Sequence, residues 1–428
     1  NYLFDFYILT NLIQNGNLSF MIVIKGGNKL DNQSDLVKKG LSKSDKALFL
    51  GCFYAFFVNG GLSLILGAIL PFMKDTYNLN YQLTGLLISM HSVGNLISSF
   101  LGGVLPVYIG KKKSIILFCS FGIIAFLLMV STGNPIVLLI AFLFTGLNRG
   151  AVSNFNNTVI NDIATGQAWA LNLLHGVFAV GAFISPFIAL FFTRNNPNGW
   201  VYAALVLAFM CLIEIIVYST MKIPNPNPVK REDKIKSDWG FLKNKYYLVA
   251  CGILFSYLCA EQAINGWLVT YLKESGILSG TFAQSMASLL WIVILFGRLT
   301  SAYLSSKIKK SKLLLVNSLG YLLFFILLLS GRTLTPVAIG IVGVGFCMAG
   351  LYPTTIASIG GIIKQYPLAL SFLLTFAGLG SILMPAIIGA VAEVVGIIGG
   401  MSVIIVAVVV TLLFIIYNSY IYRDTEEL

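Results

Sequence analysis

"LNLLHGVFAVGAFISPF" (residues 171–187) and "LSFLLTFAGLGSILMPA" (370–386) decide how this chain is read. Laid one over the other, Gly181 meets Gly380 and Pro186 meets Pro385, both at an offset of 199. The same offset sets Lys74 and Asp75 of "MKDTY" against Lys273 and Glu274 of "LKESG", Gly67 against Gly266, Gly146 against Gly345, and Lys111 and Lys113 against Lys310 and Lys312. Gly and Leu are abundant here, so one match means little. A constant register through the first, second, fourth and fifth apolar runs marks a duplicated unit.

The runs themselves give the fold class. Of 428 residues, 57% are apolar and 10% charged, far from the quarter charged that is usual in a soluble domain. Apolar runs recur along the chain, each long enough to cross a hydrocarbon core of ~30 Å as a helix. Twelve are counted, the tenth at 334–360 and the last two at 367–391 and 396–421. The expected architecture is an all-α polytopic membrane protein of twelve transmembrane helices in two parallel six-helix repeats. Its parts are an N-terminal tail (1–46), a first bundle (47–221), a linker (222–245), a second bundle (246–421) and a C-terminal tail (422–428). The linker, "KIPNPNPVKREDKIKSDWGFLKNK", is Pro-rich and charged, as a bridge in water should be.

The formal charge of +12 follows the same alternation. With the N-terminus inside, 22 of the 28 Lys and Arg residues fall in segments on that side, and only Lys74, Arg194, Lys273 and Arg332 fall on the other. Arg149 and Arg298 lie within spans. The positive-inside rule then places both termini in the cytoplasm of a plasma-membrane protein. The basic excess is topology, and nucleic acid is not an expected partner. All six cysteines lie inside spans and none forms a CxxC pair, so they read as small apolar fillers.

Twelve spans as two parallel repeats, with both termini inside, resemble the major facilitator superfamily over about 47–421. "GGVLPVYIGKKKSI" (102–115) is similar to that family's loop between its second and third spans, but Val107 stands where the family usually has Asp, which puts the loop's clamp in doubt. "GRL" (297–299) and "AGLYPTT" (349–355) also look familial. "NGGLSLILGAILPFMKDTYNLNYQLTGLL" (59–87), "NLLHGVFAVGAFISPF" (172–187) and "AEQAINGWLVTYL" (260–272) are similar to the branch with fucose- and glucose-type proton symporters. The resemblance implies a substrate cavity lined by spans one, four, seven and ten.

Against that expectation, "YLCAEQAINGWLVTYL" (257–272) holds an oddity: Glu261 inside an apolar span. Gln262 lies ~100° round the helix from it and Asn265 ~40°, so the three share a polar face. A charge at mid-span costs ~2.5–3.5 kcal/mol even on the lenient insertion scale. Glu261 is therefore either a proton acceptor or ligand in a cavity, or a permanently paired structural acid. Arg149 in "GLNRGAVSNFNNT" is its expected partner, with carbonyls or Asp162 as the alternative. Asn154 and Asn157 share a face of the same span and suit a hydroxyl-rich ligand, or else bind between helices. Asn59 joins them as a candidate substrate ligand. His91 and His175 are both intramembrane and read as proton relays or packing residues. Trp267, Trp291 and Tyr352 are candidate stacking surfaces or plain packing. Arg298 and Glu214 read as structural charges near the cytoplasmic ends of their spans, and Glu393 as lying near an outer end.

No HExxH or GxSxG is present, and "VYIGKKKS" lacks the upstream glycine and the Ser/Thr of a phosphate loop. An enzyme, a metal site and a cofactor are not expected. The sequence reads as a monomeric secondary transporter in the lipid bilayer that takes up a sugar or polyol with protons by alternating access. The alternative is a drug or metabolite exporter on the same fold. A non-transporting receptor on this scaffold would need an extra domain of which the sequence has none.

Overall fold

In a computed structural model of the chain, residues 43–163, 168–223, 239–305 and 307–421 are described. The tail before residue 43, most of the expected linker (224–238) and the last residues (422–428) lie outside them. Among the described residues every regular element is helical. That is what hydrocarbon demands, because a helix satisfies its own backbone hydrogen bonds where water cannot.

The helices run α1 (Lys43–Tyr77), α2 (Tyr81–Ile109), α3 (Lys111–Ser131), α4 (Pro135–Ile163), α5 (Ala168–Thr193) and α6 (Trp200–Thr220), then α7 (Lys245–Glu274), α8 (Gly280–Leu304), α9 (Lys310–Ser330), α10 (Leu334–Met348), α11 (Leu351–Ser358), α12 (Gly360–Gln365), α13 (Pro367–Ser402) and α14 (Ile404–Ile421). The repeat survives in three dimensions. The starts of α2, α3 and α4 at Tyr81, Lys111 and Pro135 match those of α8, α9 and α10 at Gly280, Lys310 and Leu334, each 199 residues on.

Two departures from the sequence reading have local causes. The tenth run is not one helix but breaks between α10 and α11 at Ala349–Gly350. Pro353 sits four residues beyond Ala349, where its ring clashes with that carbonyl and it supplies no N–H. The last two runs form a single apolar stretch, Leu368–Ile421, giving eleven candidate spans among the described residues. At 54 residues it is more than twice the ~20 one crossing needs. It is interrupted at Gly396, whose φ of 79° is left-handed and costs a glycine little.

Glycines set the closest helix contacts. A Cβ on Gly181 would stand 2.0 Å from the Phe57 carbonyl oxygen of α1, and one on Gly380 would stand 2.3 Å from the Phe255 carbonyl oxygen of α7. These repeat-related glycines therefore dock α5 on α1 and α13 on α7. Pro186 and Pro385 lie within helices that continue through them.

The helix order gives the molecule two ends. At the basic end, Lys112 Nζ donates to the Ser219 and Met221 carbonyls that finish α6 (2.5 and 3.1 Å), and Lys111 pairs with Asp162 (3.6 Å). These bonds hold the loop whose family aspartate is replaced by Val107. They also commit Asp162 to Lys111, so it is not the partner of Arg149. At the far end, Tyr77 OH donates to the Met129 carbonyl (2.9 Å) and Trp200 Nε1 to Thr76 Oγ1 (2.9 Å).

Candidate functional site

A cavity of about 1260 Å³ lies between α1, α2, α4 and α5 on one side and α7, α8, α11 and α13 on the other. It takes its walls from only part of each helix. On α1 the lining ends at Gly67, on α2 it begins at Ile88, on α7 it ends at Gly266, on α8 it begins at Trp291, and on α13 it ends at Ser381. The far-end portions contribute nothing. Toward the basic end the cavity reaches exposed Ser99, Phe100 and Ala302. This conformation is open at the basic end and closed at the far end.

The far-end closure is built from polar ties across the two sets of helices. Gln284, buried, donates from Nε2 to the Ala68 carbonyl (3.2 Å) and accepts from Thr193 Oγ1 (3.2 Å). Ser288 Oγ donates to the Phe183 carbonyl (2.9 Å) and Ser89 Oγ to the Ile382 carbonyl (2.6 Å). Beyond them the repeat-related charges cross: Lys74 pairs with Glu274 (3.3 Å) and Lys273 with Asp75 (2.5 Å). Tyr81 OH donates to Glu274 (2.6 Å), and the Tyr81 amide at the start of α2 donates to Glu393 (2.8 Å), which places Glu393 at this end as expected. Gly67 packs so tightly on α7 that a Cβ there would be 2.3 Å from the Asn265 carbonyl oxygen.

The candidate residues converge on the cavity with one exception. Asn59, His91, Arg149, Asn154, Asn157, His175, Glu261, Gln262, Asn265, Trp291 and Tyr352 all line it. Trp267 does not. It is fully buried, donates from Nε1 to the Pro385 carbonyl (3.2 Å) and packs beside Tyr81, so it fastens α7 to α13 rather than offering a stacking face. Six residues beyond Glu261, it points ~120° away from the polar face.

On the first set of helices a closed ring of bonds fixes Arg149. Its Nε donates to Ser63 Oγ (2.7 Å), Ser63 Oγ to the Asn59 carbonyl (2.8 Å), and Asn59 Nδ2 to the Arg149 carbonyl (3.2 Å). Asn154 and Asn157 use their amide donors locally, on the Ser99 carbonyl (3.0 Å) and the Ser153 carbonyl (2.9 Å), which leaves their oxygens as acceptors. Thr145 donates its hydroxyl to the Phe142 carbonyl (2.6 Å), so His91 Nδ1, 2.8 Å from that hydroxyl, must be the donor there. The tautomer this assigns leaves Nε2 as an acceptor. His175 meets Phe56 edge-on, with ring centroids 5.4 Å apart.

On the second set, Glu261 is surrounded by phenols and arginines. The Tyr257 hydroxyl lies beside its carboxylate, Tyr321 and Tyr352 feel its charge, and both Arg298 and Arg149 act on it. Among the described residues neither arginine reaches ion-pair distance of Glu261. Arg298, expected to be a structural charge near a helix end, instead lines the cavity with its guanidinium 6.0 Å from the Trp291 ring centroid. Glu214, by contrast, is buried in the first set beside Cys119 and Asn148, away from the cavity.

Sequence reasoning passed over Ser63 and Asn95 and set Arg298 aside as structural, yet all three line the cavity. The signal was helical spacing: Ser63 follows Asn59 by four residues, Asn95 follows His91 by four, and Arg298 follows Trp291 by seven, each on the same face. No group of three or more His, Cys, Asp or Glu side chains is placed to hold a metal among the described residues.

The family model described as Major Facilitator Superfamily matches residues 51–344. A protein TsgA homolog of Buchnera aphidicola subsp. Baizongia pistaciae is 22% identical over 352 residues, covering 81% of this chain and 88% of its own. The sodium-dependent glucose transporter 1 of Danio rerio is 22% identical over 420 residues, covering 86% of this chain and 69% of its own. The crystal structure of a D-xylose-proton symporter superposes with a TM-score of 0.72 at 13% identity, covering 90% of this chain and 99% of that one. At that identity the likeness is one of fold.

Proposed function

The chain belongs to the Major Facilitator Superfamily, a family of transporters and not of enzymes, and from that premise we propose that it takes up a sugar or polyol together with a proton by alternating access. It is a multi-pass membrane protein. We read the Leu368–Ile421 stretch as two crossings, which gives twelve, and the expected bundle limits (47–221 and 246–421) as the two moving bodies. The basic end is the cytoplasmic face of a plasma membrane, with both termini on it, and the protein acts as a monomer.

One observation carries this reading. The cavity gathers amide groups from both sets of helices together with a single intramembrane carboxylate, Glu261. Gln262 and Asn265 can donate to and accept from sugar hydroxyls, and the side-chain oxygens of Asn59, Asn154 and Asn157 can accept from them. Trp291 and Tyr352 supply apolar faces, and Glu261 carries the proton, with His91 and His175 within the same cavity as relays. The relative from Danio rerio is named for glucose, which agrees with a hydroxylated solute. An exporter of lipophilic cations on this fold is disfavoured by two arginines in the cavity against one acid.

The test is Glu261→Gln in proteoliposomes loaded with the solute. Accumulation driven by a pH gradient should be lost while solute exchange persists. Undiminished accumulation in that variant ends the proton role of Glu261. Binding of lipophilic cations with no sugar or polyol bound would move the assignment to the exporter.

A further inference from the structure

The charge inventory of the cavity carries a sharper statement of the substrate. Its formally charged lining residues are Arg149, Glu261 and Arg298. One carboxylate faces two guanidinium groups, and arginine does not lose its proton in a protein. The titratable side chains facing this group from the surrounding helices are Tyr257, Tyr321, Tyr352, His91 and His175, none of which supplies a negative charge at neutral pH. The site therefore holds an excess positive charge inside an apolar wall, where such an excess focuses its field on whatever enters.

The arginines are poised to use that charge. Arg149 spends only Nε, on Ser63, which aligns the guanidinium and leaves its terminal nitrogens outside that bond. Arg298 has no hydrogen bond or ion pair among the described residues and rests over Trp291. A planar fork of N–H donors matches a carboxylate and gains little from a neutral hydroxyl that could not be had from an amide.

Resting on the reading of this cavity as a sugar or polyol site, we propose that the solute is a polyhydroxy monocarboxylate, a sugar acid. Its carboxylate is held by Arg298 with Arg149, and its hydroxyls by Asn59, Gln262 and Asn265. A charge rule follows. The empty site, with Glu261 ionised, and the site loaded with one proton and one monoanion carry the same net charge. One turnover therefore moves no net charge, and the uptake is electroneutral.

The experiment compares thermal stabilisation of the full-length purified protein by glucuronate, gluconate, glucose, sorbitol and acetate at equal concentration, since a ligand of the folded state raises the midpoint by mass action. Uptake of whichever compound binds is then followed with and without an imposed membrane voltage. Glucuronate or gluconate should bind at least about tenfold more tightly than glucose or sorbitol, with acetate weaker than either acid. Arg298→Gln should remove that advantage, Arg298→Lys should restore part of it, and voltage should leave the initial rate of acid uptake unchanged. Glucose or sorbitol binding as tightly as the acids overturns the sugar-acid assignment and leaves the sugar or polyol reading standing. Acetate binding as tightly as the acids also overturns it, because charge alone would then be read. Voltage-driven uptake of the acid overturns the charge rule. If none of the hydroxylated compounds binds, both readings fall together. The wild-type panel decides the matter even if the Arg298 variants do not fold.

Discussion

The same duplicated lysines do opposite work at the two ends of the molecule. At the far end the repeat-related pairs reach across: Lys74 to Glu274 and Lys273 to Asp75. At the basic end they stay within their own set, Lys111 on Asp162 and Lys310 on the Ala357 carbonyl (3.2 Å). One end is thereby a clamp between bodies and the other a brace within each. A duplicated sequence need not give two equivalent gates. What decides is whether the acceptor that meets each lysine sits on the other body or on the same one.

The comparison can be broken most strongly at Gly67. Its close contact with the Asn265 carbonyl is part of the shut far end, so Gly67→Val should penalise that state by about 1–3 kcal/mol, the usual cost of overpacking. Solute uptake should fall at least about tenfold. A cysteine placed at Ser89, in a background free of the native cysteines, should become reactive to an impermeant thiol reagent. Unchanged reactivity and uptake would mean that α1 and α7 do not separate there.

A smaller effect is expected from Glu274→Gln. The Lys74–Glu274 pair is mostly sheltered, at 16% and 13% side-chain exposure, whereas Asp75 in the other pair is 52% exposed. Partly exposed pairs are worth ~1 kcal/mol or less, so far-end reactivity should rise about threefold to fivefold, and less for Asp75→Asn. Larger rises for Asp75→Asn would reverse the ranking of the two pairs. Lys112→Gln, at the basic end, sharpens the contrast. It removes a cap on α6 worth ~0.3–1 kcal/mol, which a thermal melt should register, and it should leave far-end reactivity within about twofold of the parent.

The fold was legible because two independent periodicities agreed. Apolar runs gave the helices, and the offset of 199 gave their order. The structure keeps that offset to the residue in three helix starts. What hydropathy could not show was the break before Pro353, since apolar content is the same in a helix and in an interrupted one. In the site, helical phase carried more information than residue type. Asn265 shares the Glu261 face and lines the cavity, while Trp267 is rotated away and packs. Arg298 was set aside by its depth alone, yet depth excludes nothing when the cavity runs to the basic end. The Glu261–Arg149 pairing was an expectation about tertiary distance, which sequence phase does not contain; both residues line the cavity, but without an ion pair between them.

The crossed pairing at the far end has the form of an isologous contact: position i of one copy meets position j of the other, and j meets i. A symmetric dimer interface is thus folded into a single chain. A substitution in one copy removes half of the clamp and spares its twin, so the seal degrades in two steps. Exposure of the cavity to the far side, in contrast, has to undo both halves in one motion.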